Sequence, residues 1–126
     1  MRRHAKTRIV ADGSEGFFLR VREHGRKLDL GEQLRPELTI SFEDAAEMMK
    51  VLSAERIRLL KVARKKPAAV TELARGLKRD TRAVSRDVDV LERFGLVHSR
   101  YENNPGHGKK RIVASRAAKY QLVANI

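Results

Sequence analysis

Arg82, Ser85, Arg86 and Asp89 recur at i, i+3, i+4 and i+7, the spacing of one helix face. A guanidinium carries paired N–H donors that match the O6 and N7 acceptors of guanine, and a hydroxyl can serve several base edges or a phosphate. Such a row could work in a nucleic-acid groove. Between these positions Val84, Val88 and Leu91 follow i, i+4, i+7, the stripe of a face turned to a core. Arg79 and Thr81 stand at the entrance of the same segment, where phosphate contacts are expected. Downstream, His107, Lys109, Lys110 and Arg111 crowd a short stretch that also holds Gly106 and Gly108. Glycines let a loop tip approach a sugar-phosphate wall or a narrow groove closely. The plainer reading of each group is a solvated charged face, in which Arg86 and Asp89 pair at i, i+3.

The bulk composition favours a polyanionic partner. The 126 residues carry a formal net charge of +12 and a pI near 10.7, which suits nucleic acid or an anionic membrane surface. Hydrophobic residues make up 41%, enough for a core, while aromatics are only 5% and Trp is absent. That argues against a base-stacking aromatic platform. There is no Cys, so disulfides, thiolate zinc sites and cysteine nucleophiles are excluded. His4, His24, His98 and His107 lack metal-ligand spacing, and Gly106-His107-Gly108-Lys109 lacks the spacing and following helix of a phosphate loop. No metal and no cofactor is expected. No apolar run approaches the roughly 20 residues of a membrane span, and no apolar segment follows the basic start. A soluble cytoplasmic protein without a membrane partner is expected.

Charge is distributed unevenly. Residues 36–52 hold one basic residue against four acidic ones, Glu37, Glu43, Asp44 and Glu47, whereas residues 53–66 hold six basic against one acidic. The acids suit the start of a helix or a subunit or partner interface. As a catalytic carboxylate pair they lack companions, and no other catalytic constellation is present, so no enzyme is expected. The basic start, Arg2-Arg3-His4-Lys6-Arg8, suits either a solubilising tail or an arm in a minor groove. Lys61, Arg64, Lys65 and Lys66 suit a helix C-terminus, with backbone contact as a second use.

The elements that must position these groups follow from patterning. Met1 to Gly13 reads as an arm or a short strand over Thr7–Ala11. Phe17, Phe18, Val21 and Leu28 suggest a helix over Ser14–Leu30, weakened by Gly16 and Gly25. Leu38–Phe42 alternates as a strand. Ser41 and Asp44 give a capping-box-like start to a helix over Glu43–Leu52. Ser53 caps a helix over Ala54–Lys65, which Pro67 stops, and Thr71 caps a short one over Glu72–Leu77. Lys78-Arg79-Asp80 forms a tight connection. Asp80 or Thr81 then caps a helix to Phe94, closed by Gly95. Leu96–Tyr101 and Lys109–Ala114 form a hairpin around Asn103–Gly108, and Lys119–Ile126 alternates as a last strand.

This order of helix, short helix, tight turn, longer helix and hairpin carries a family resemblance. Arg56-Ile57-Arg58-Leu59-Leu60, Glu72-Leu73-Ala74, Val84-Ser85-Arg86-Asp87-Val88 and Leu91-Glu92-Arg93-Phe94-Gly95-Leu96-Val97 resemble the winged helix-turn-helix of MarR- and ArsR-type transcriptional regulators. The resemblance covers about half the chain. The strand Thr39-Ile40-Ser41-Phe42 ahead of a helix at Leu52 also resembles one small group of candidate DNA-binding proteins often encoded beside a toxin-like gene. Two departures limit the carry-over. The sequence ends soon after the wing, where MarR proteins have a long dimerisation helix, and the cysteine ligands of metal-sensing members are missing.

The resemblance implies a mainly α fold with a β-hairpin wing, a winged helix-turn-helix over residues 37–126 behind a basic N-terminal extension over residues 1–36. It implies a sequence-specific double-stranded DNA-binding regulator, a repressor or autoregulator, with Arg79, Thr81, Arg82, Ser85, Arg86, His107, Lys109, Lys110 and Arg111 on the DNA. A homodimer is expected, because one short helix offers few base contacts. Leu38–Phe42, Glu43–Leu52 and Lys119–Ile126 are its candidate interfaces. Two rivals remain: an RNA-binding protein, which has the same charge but no known RNA-binding module here, and an antitoxin-type module that holds a partner toxin through its first 50 residues.

Overall fold

A computed structural model describes residues 3–13, 19, 22–23 and 37–124. The helix expected over Ser14–Leu30 lies almost wholly outside them, as do the last two residues of the strand expected over Lys119–Ile126. The described elements run β1 (Lys6–Ala11), β2 (Glu37–Phe42), α1 (Ala45–Val51), α2 (Ala54–Ala63), β3 (Ala68–Ala69), α3 (Val70–Leu77), α4 (Thr81–Arg93), β4 (Val97–Asn103), β5 (Lys109–Ser115) and β6 (Tyr120–Ala124).

The stripe Val84, Val88 and Leu91 is completely buried, and this sets how α4 lies. It packs against α3 and β4, with Leu73, Leu77, Leu96 and Val97 in the same core. Glycine ends α4 as the pattern predicts. Gly95 sits at φ 76°, and Leu96 N donates to the Leu91 carbonyl at 2.9 Å, the bond that closes a left-handed helix end. The turn between α3 and α4 closes the same way on a non-glycine residue. Lys78 takes φ 55°, and Arg79 N donates to Ala74 O at 2.9 Å.

The caps differ in part from expectation. Ser53 caps α2 through Arg56 N. Asp44, not Ser41, caps α1, accepting from Glu47 N at 2.8 Å. Neither α3 nor α4 has a side-chain cap. Helix α3 starts one residue before Thr71, and Asp80 is the N-cap of α4, its carbonyl accepting from Val84 N at 3.0 Å while its side chain makes no cap bond. The apolar pair Ala68–Ala69, too short to show a period, forms β3.

The hairpin β4–β5 pairs antiparallel, from Val97 opposite Ser115 to Asn103 opposite Lys109, and β3 joins the far side of β5. Helices α3 and α4, the tight turn and this hairpin make a winged helix-turn-helix. A second sheet holds β2, β1 and β6 in that order, all parallel. Strand β1, from the expected extension, is thus the central strand of a sheet whose other two strands lie beyond residue 36. Ile9 and Thr7 are completely buried there. The first described residues are a bound strand rather than a loose arm: His4 N donates to Arg116 O at 2.8 Å and Ala118 N to His4 O at 3.0 Å. Phe42 of β2 meets Phe94 at the end of α4, ring centroids 5.4 Å apart. Tyr120 donates to the Leu96 carbonyl and lies 2.6 Å from Ser115 Oγ. Burial raises the Tyr120 pKa above its ordinary value, which keeps the phenol a donor.

Candidate nucleic-acid interface

The face of α4 opposite the buried stripe is polar and exposed. Arg82 and Arg86 are both exposed, and neither pairs with an acid among the described residues. They stand one helical turn apart, each presenting a fork of donors at the surface. Thr81 is exposed at the first helical position. This is the arrangement expected for a helix that lies in a groove.

Three of the other expected residues are already engaged. Arg79 donates from Nη1 to Asp87 Oδ2 at 2.6 Å and lies 3.4 Å from Glu55 through Nε. Its side chain is only 20% exposed. Arg111 donates to Ser99 Oγ at 2.8 Å, to Asp89 Oδ1 at 2.8 Å, to Glu92 Oε2 at 3.2 Å and to Ser85 Oγ at 3.3 Å. Its side chain is 13% exposed. It acts as a strut between wing and helix, and the Ser85 hydroxyl is one of its acceptors. The physical reason is strand alternation. Arg111 shares a face with Ser99 and the fully buried Val113, and that face turns toward α4.

The same alternation sorts the rest of the wing. Lys109 and Tyr101 continue the Arg111 face outward, and Tyr101 is 62% exposed. Lys110 lies on the other face, opposite Glu102. His107 is exposed at the tip, where His107 N donates to Asn104 O at 2.8 Å and Gly106 and Gly108 take φ 81° and 75°. The structure thus brings Thr81, Arg82, Arg86, His107 and Lys109 to the surface of the helix and wing, and turns Arg79 and Arg111 inward.

Asp87 was missed as a site-building residue. It is 8% exposed and accepts from Arg56 Nε at 3.0 Å as well as from Arg79. Arg56 also donates to the carbonyls of Lys50 and Val51, at 3.0 Å each. One carboxylate thus ties α4 to α2, to the end of α1 and to the tight turn. The signal was an acid beside Val88 on the apolar side of α4, since a carboxylate there must be paired. Tyr101 carried no comparable signal. No group of acids and histidines among the described residues could hold a metal ion, and none of their helices is long and apolar enough to cross a membrane.

The HVO_A0114 family model matches residues 51–115, from the end of α1 to the end of β5. No curated protein matches the sequence. Among solved structures, a possible transcriptional regulatory protein from Mycobacterium bovis is 20% identical, with 57% of this chain covering 73% of that one at a TM-score of 0.49. The homodimeric winged helix-turn-helix DNA-binding domain Mb0332, also from Mycobacterium bovis, is 20% identical over 57% of this chain and 63% of that one, TM-score 0.48. Reduced HlyU from Vibrio cholerae is 23% identical over 58% of this chain and 73% of that one, TM-score 0.48.

Proposed function

The chain belongs to the HVO_A0114 family, and from that footing we propose that it is a sequence-specific double-stranded DNA-binding regulator of transcription, acting as a repressor. The single observation that carries this reading is the pair Arg82 and Arg86, exposed and without acid partners among the described residues, on the outer face of a helix whose inner face is sealed. In this reading α4 enters a major groove, and both guanidiniums bond guanine edges. Thr81 at the start of α4 and the wing residues His107 and Lys109 contact the backbone on either side. Ser85, Arg79 and Arg111 act through position. Arg79 holds the tight turn on Asp87, and Arg111 holds the wing on α4 beside Ser85. Occupying a promoter would then block polymerase.

A homodimer on a two-fold operator would supply the selectivity that one 13-residue helix cannot. Strands β2 and β6, which form the two edges of the parallel sheet, and helix α1 are its candidate contacts, since a strand edge pairs readily. Selection of bound duplexes from a random pool tests the proposal. It should return a short guanine-containing motif, repeated at a spacing of about one helical turn. Recovery of unrelated sequences would reject base reading.

A further inference from the structure

The wing sheet carries exposed cations at its tip, where Lys109 lies beside His107, and a second group at its base. Strand β5 runs from Lys109 at the tip to Ser115 at the base, about 20 Å at roughly 3.3 Å per residue. At the base the chain presents a second cationic surface: Arg64, Lys65 and Lys66 after α2, and Arg116 and Lys119 after β5. All are exposed except Arg116, which is half-buried. Arg3 places the two segments side by side, donating to the Arg64 carbonyl at 2.6 Å and to the Ala117 carbonyl at 2.9 Å. None of the five pairs with an acid among the described residues. The sequence supplies no acid between Glu55 and Glu72, and none after Glu102. The Nε of Arg116 is buried without a hydrogen-bond partner.

Helix polarity accounts for only part of this. Cations suit the negative end of α2, yet Arg3 already occupies the carbonyl there, and Arg116 and Lys119 belong to no helix. Gathering like charges with no counter-charge among the described residues disfavours the fold through self-repulsion, so an anionic partner is the more economical explanation. Among the described residues no exposed aromatic lies at this end, since Tyr101 belongs to the wing, so a stacking site for single strands is absent from them. What the surface offers is a charge match to a regular phosphate backbone.

We infer that the base of the wing sheet, Arg64, Lys65, Lys66, Arg116 and Lys119, binds the phosphate backbone of a second duplex, so that one protein molecule bridges two DNA segments. The bridging rests on α4 holding the first segment; the basal contact does not. The test uses the full chain, an immobilised short duplex with a selected site and a labelled short duplex of unrelated sequence. The wild type should retain the labelled duplex. Lys65→Ala/Lys66→Ala/Lys119→Ala should keep affinity for the first duplex within about twofold and lose capture of the second by about tenfold or more. Capture undiminished by the triple substitution would overturn the inference, because two α4 helices of a dimer would then account for it. Absence of capture by the wild type, or replacement of the labelled duplex by an RNA hairpin at about tenfold lower concentration, would overturn it too. In parallel, Arg82→Ala/Arg86→Ala reports on α4 alone. If it leaves the first step unchanged, the reading of α4 fails while the basal contact is still judged by the lysines.

Discussion

On the inner side of α4, Asp87 is 8% exposed and takes two guanidiniums, at 3.0 and 2.6 Å. On the outer side the arrangement is inverted. One guanidinium, Arg111, takes Asp89 and Glu92 at 2.8 and 3.2 Å, and these carboxylates have side chains 56% and 40% exposed. The inner cluster joins α4 to two other helices and a turn; the outer cluster joins it to the wing. A charge in a dry site is costly to leave unpaired, whereas a pair in water gains little. The inner cluster should therefore govern whether α4 is held at all, and the outer one how the wing is set beside it.

Asp87→Ala is the sharpest way to break this contrast. It removes the acid shared by Arg56 and Arg79, leaving Arg56 the Lys50 and Val51 carbonyls and Arg79 the half-exposed Glu55, and should lower the unfolding free energy by about 3 kcal/mol, measured by denaturant titration. A midpoint equal to wild type would show that the inner cluster does not hold the helix. Next in size is Arg86→Ala, which touches neither cluster. It should leave stability within about 0.5 kcal/mol and cost about 1–3 kcal/mol on the selected duplex. Equal weakening on all duplexes would remove Arg86 from base reading.

Arg111→Ala should change stability by about 1 kcal/mol or less, since its acid partners are wet, and should weaken duplex binding through a loosened wing. A stability loss as large as that of Asp87→Ala would erase the difference between the clusters. Within the wing, Lys109→Ala should reduce the slope of log affinity against log salt by about 1, and Lys110→Ala by less, because strand alternation turns it to the other face. Equal slopes for the two variants would mean that the wing meets DNA edge-on.

The smallest expected effect is on pH dependence. Burial, and then the nearby Arg116 charge, hold the His98 pKa below its ordinary 6.5. The unfolded chain then binds the proton more readily than the folded one. Stability should be full above pH 6.5 and fall as pH drops through 6.5 toward the folded value. His98→Gln should flatten that acid-side decline, and an unaltered pH profile would relocate the effect to another group.

Much of the helix-turn-helix was legible because its signals are local. The stripe Val84, Val88 and Leu91 and the glycine after Phe94 each report on a few neighbouring residues. The second sheet was harder. Its parallel strands come from residues 6–11, 37–42 and 120–124, and nothing in their alternation names a partner so distant in sequence. In the candidate site, exposure of Arg82 and Arg86 followed from helical period. The inward turn of Arg79 did not, because it depends on Asp87 lying against α2. Arg111 was in reach. Counting alternate residues from Val113 places it on the helix-facing side of the wing, whereas charge alone does not separate the faces of the run Lys109-Lys110-Arg111.

The claim on which the account rests is that α4 reads bases through its two exposed guanidiniums, Arg82 and Arg86. The most direct measurement is the ratio of affinities for the selected duplex and a scrambled duplex of equal length, in wild type and in Arg82→Ala/Arg86→Ala, at one salt concentration. The account predicts that the ratio falls by at least about tenfold in the variant, while affinity for the scrambled duplex changes far less. A ratio that stays at its wild-type value would contradict it.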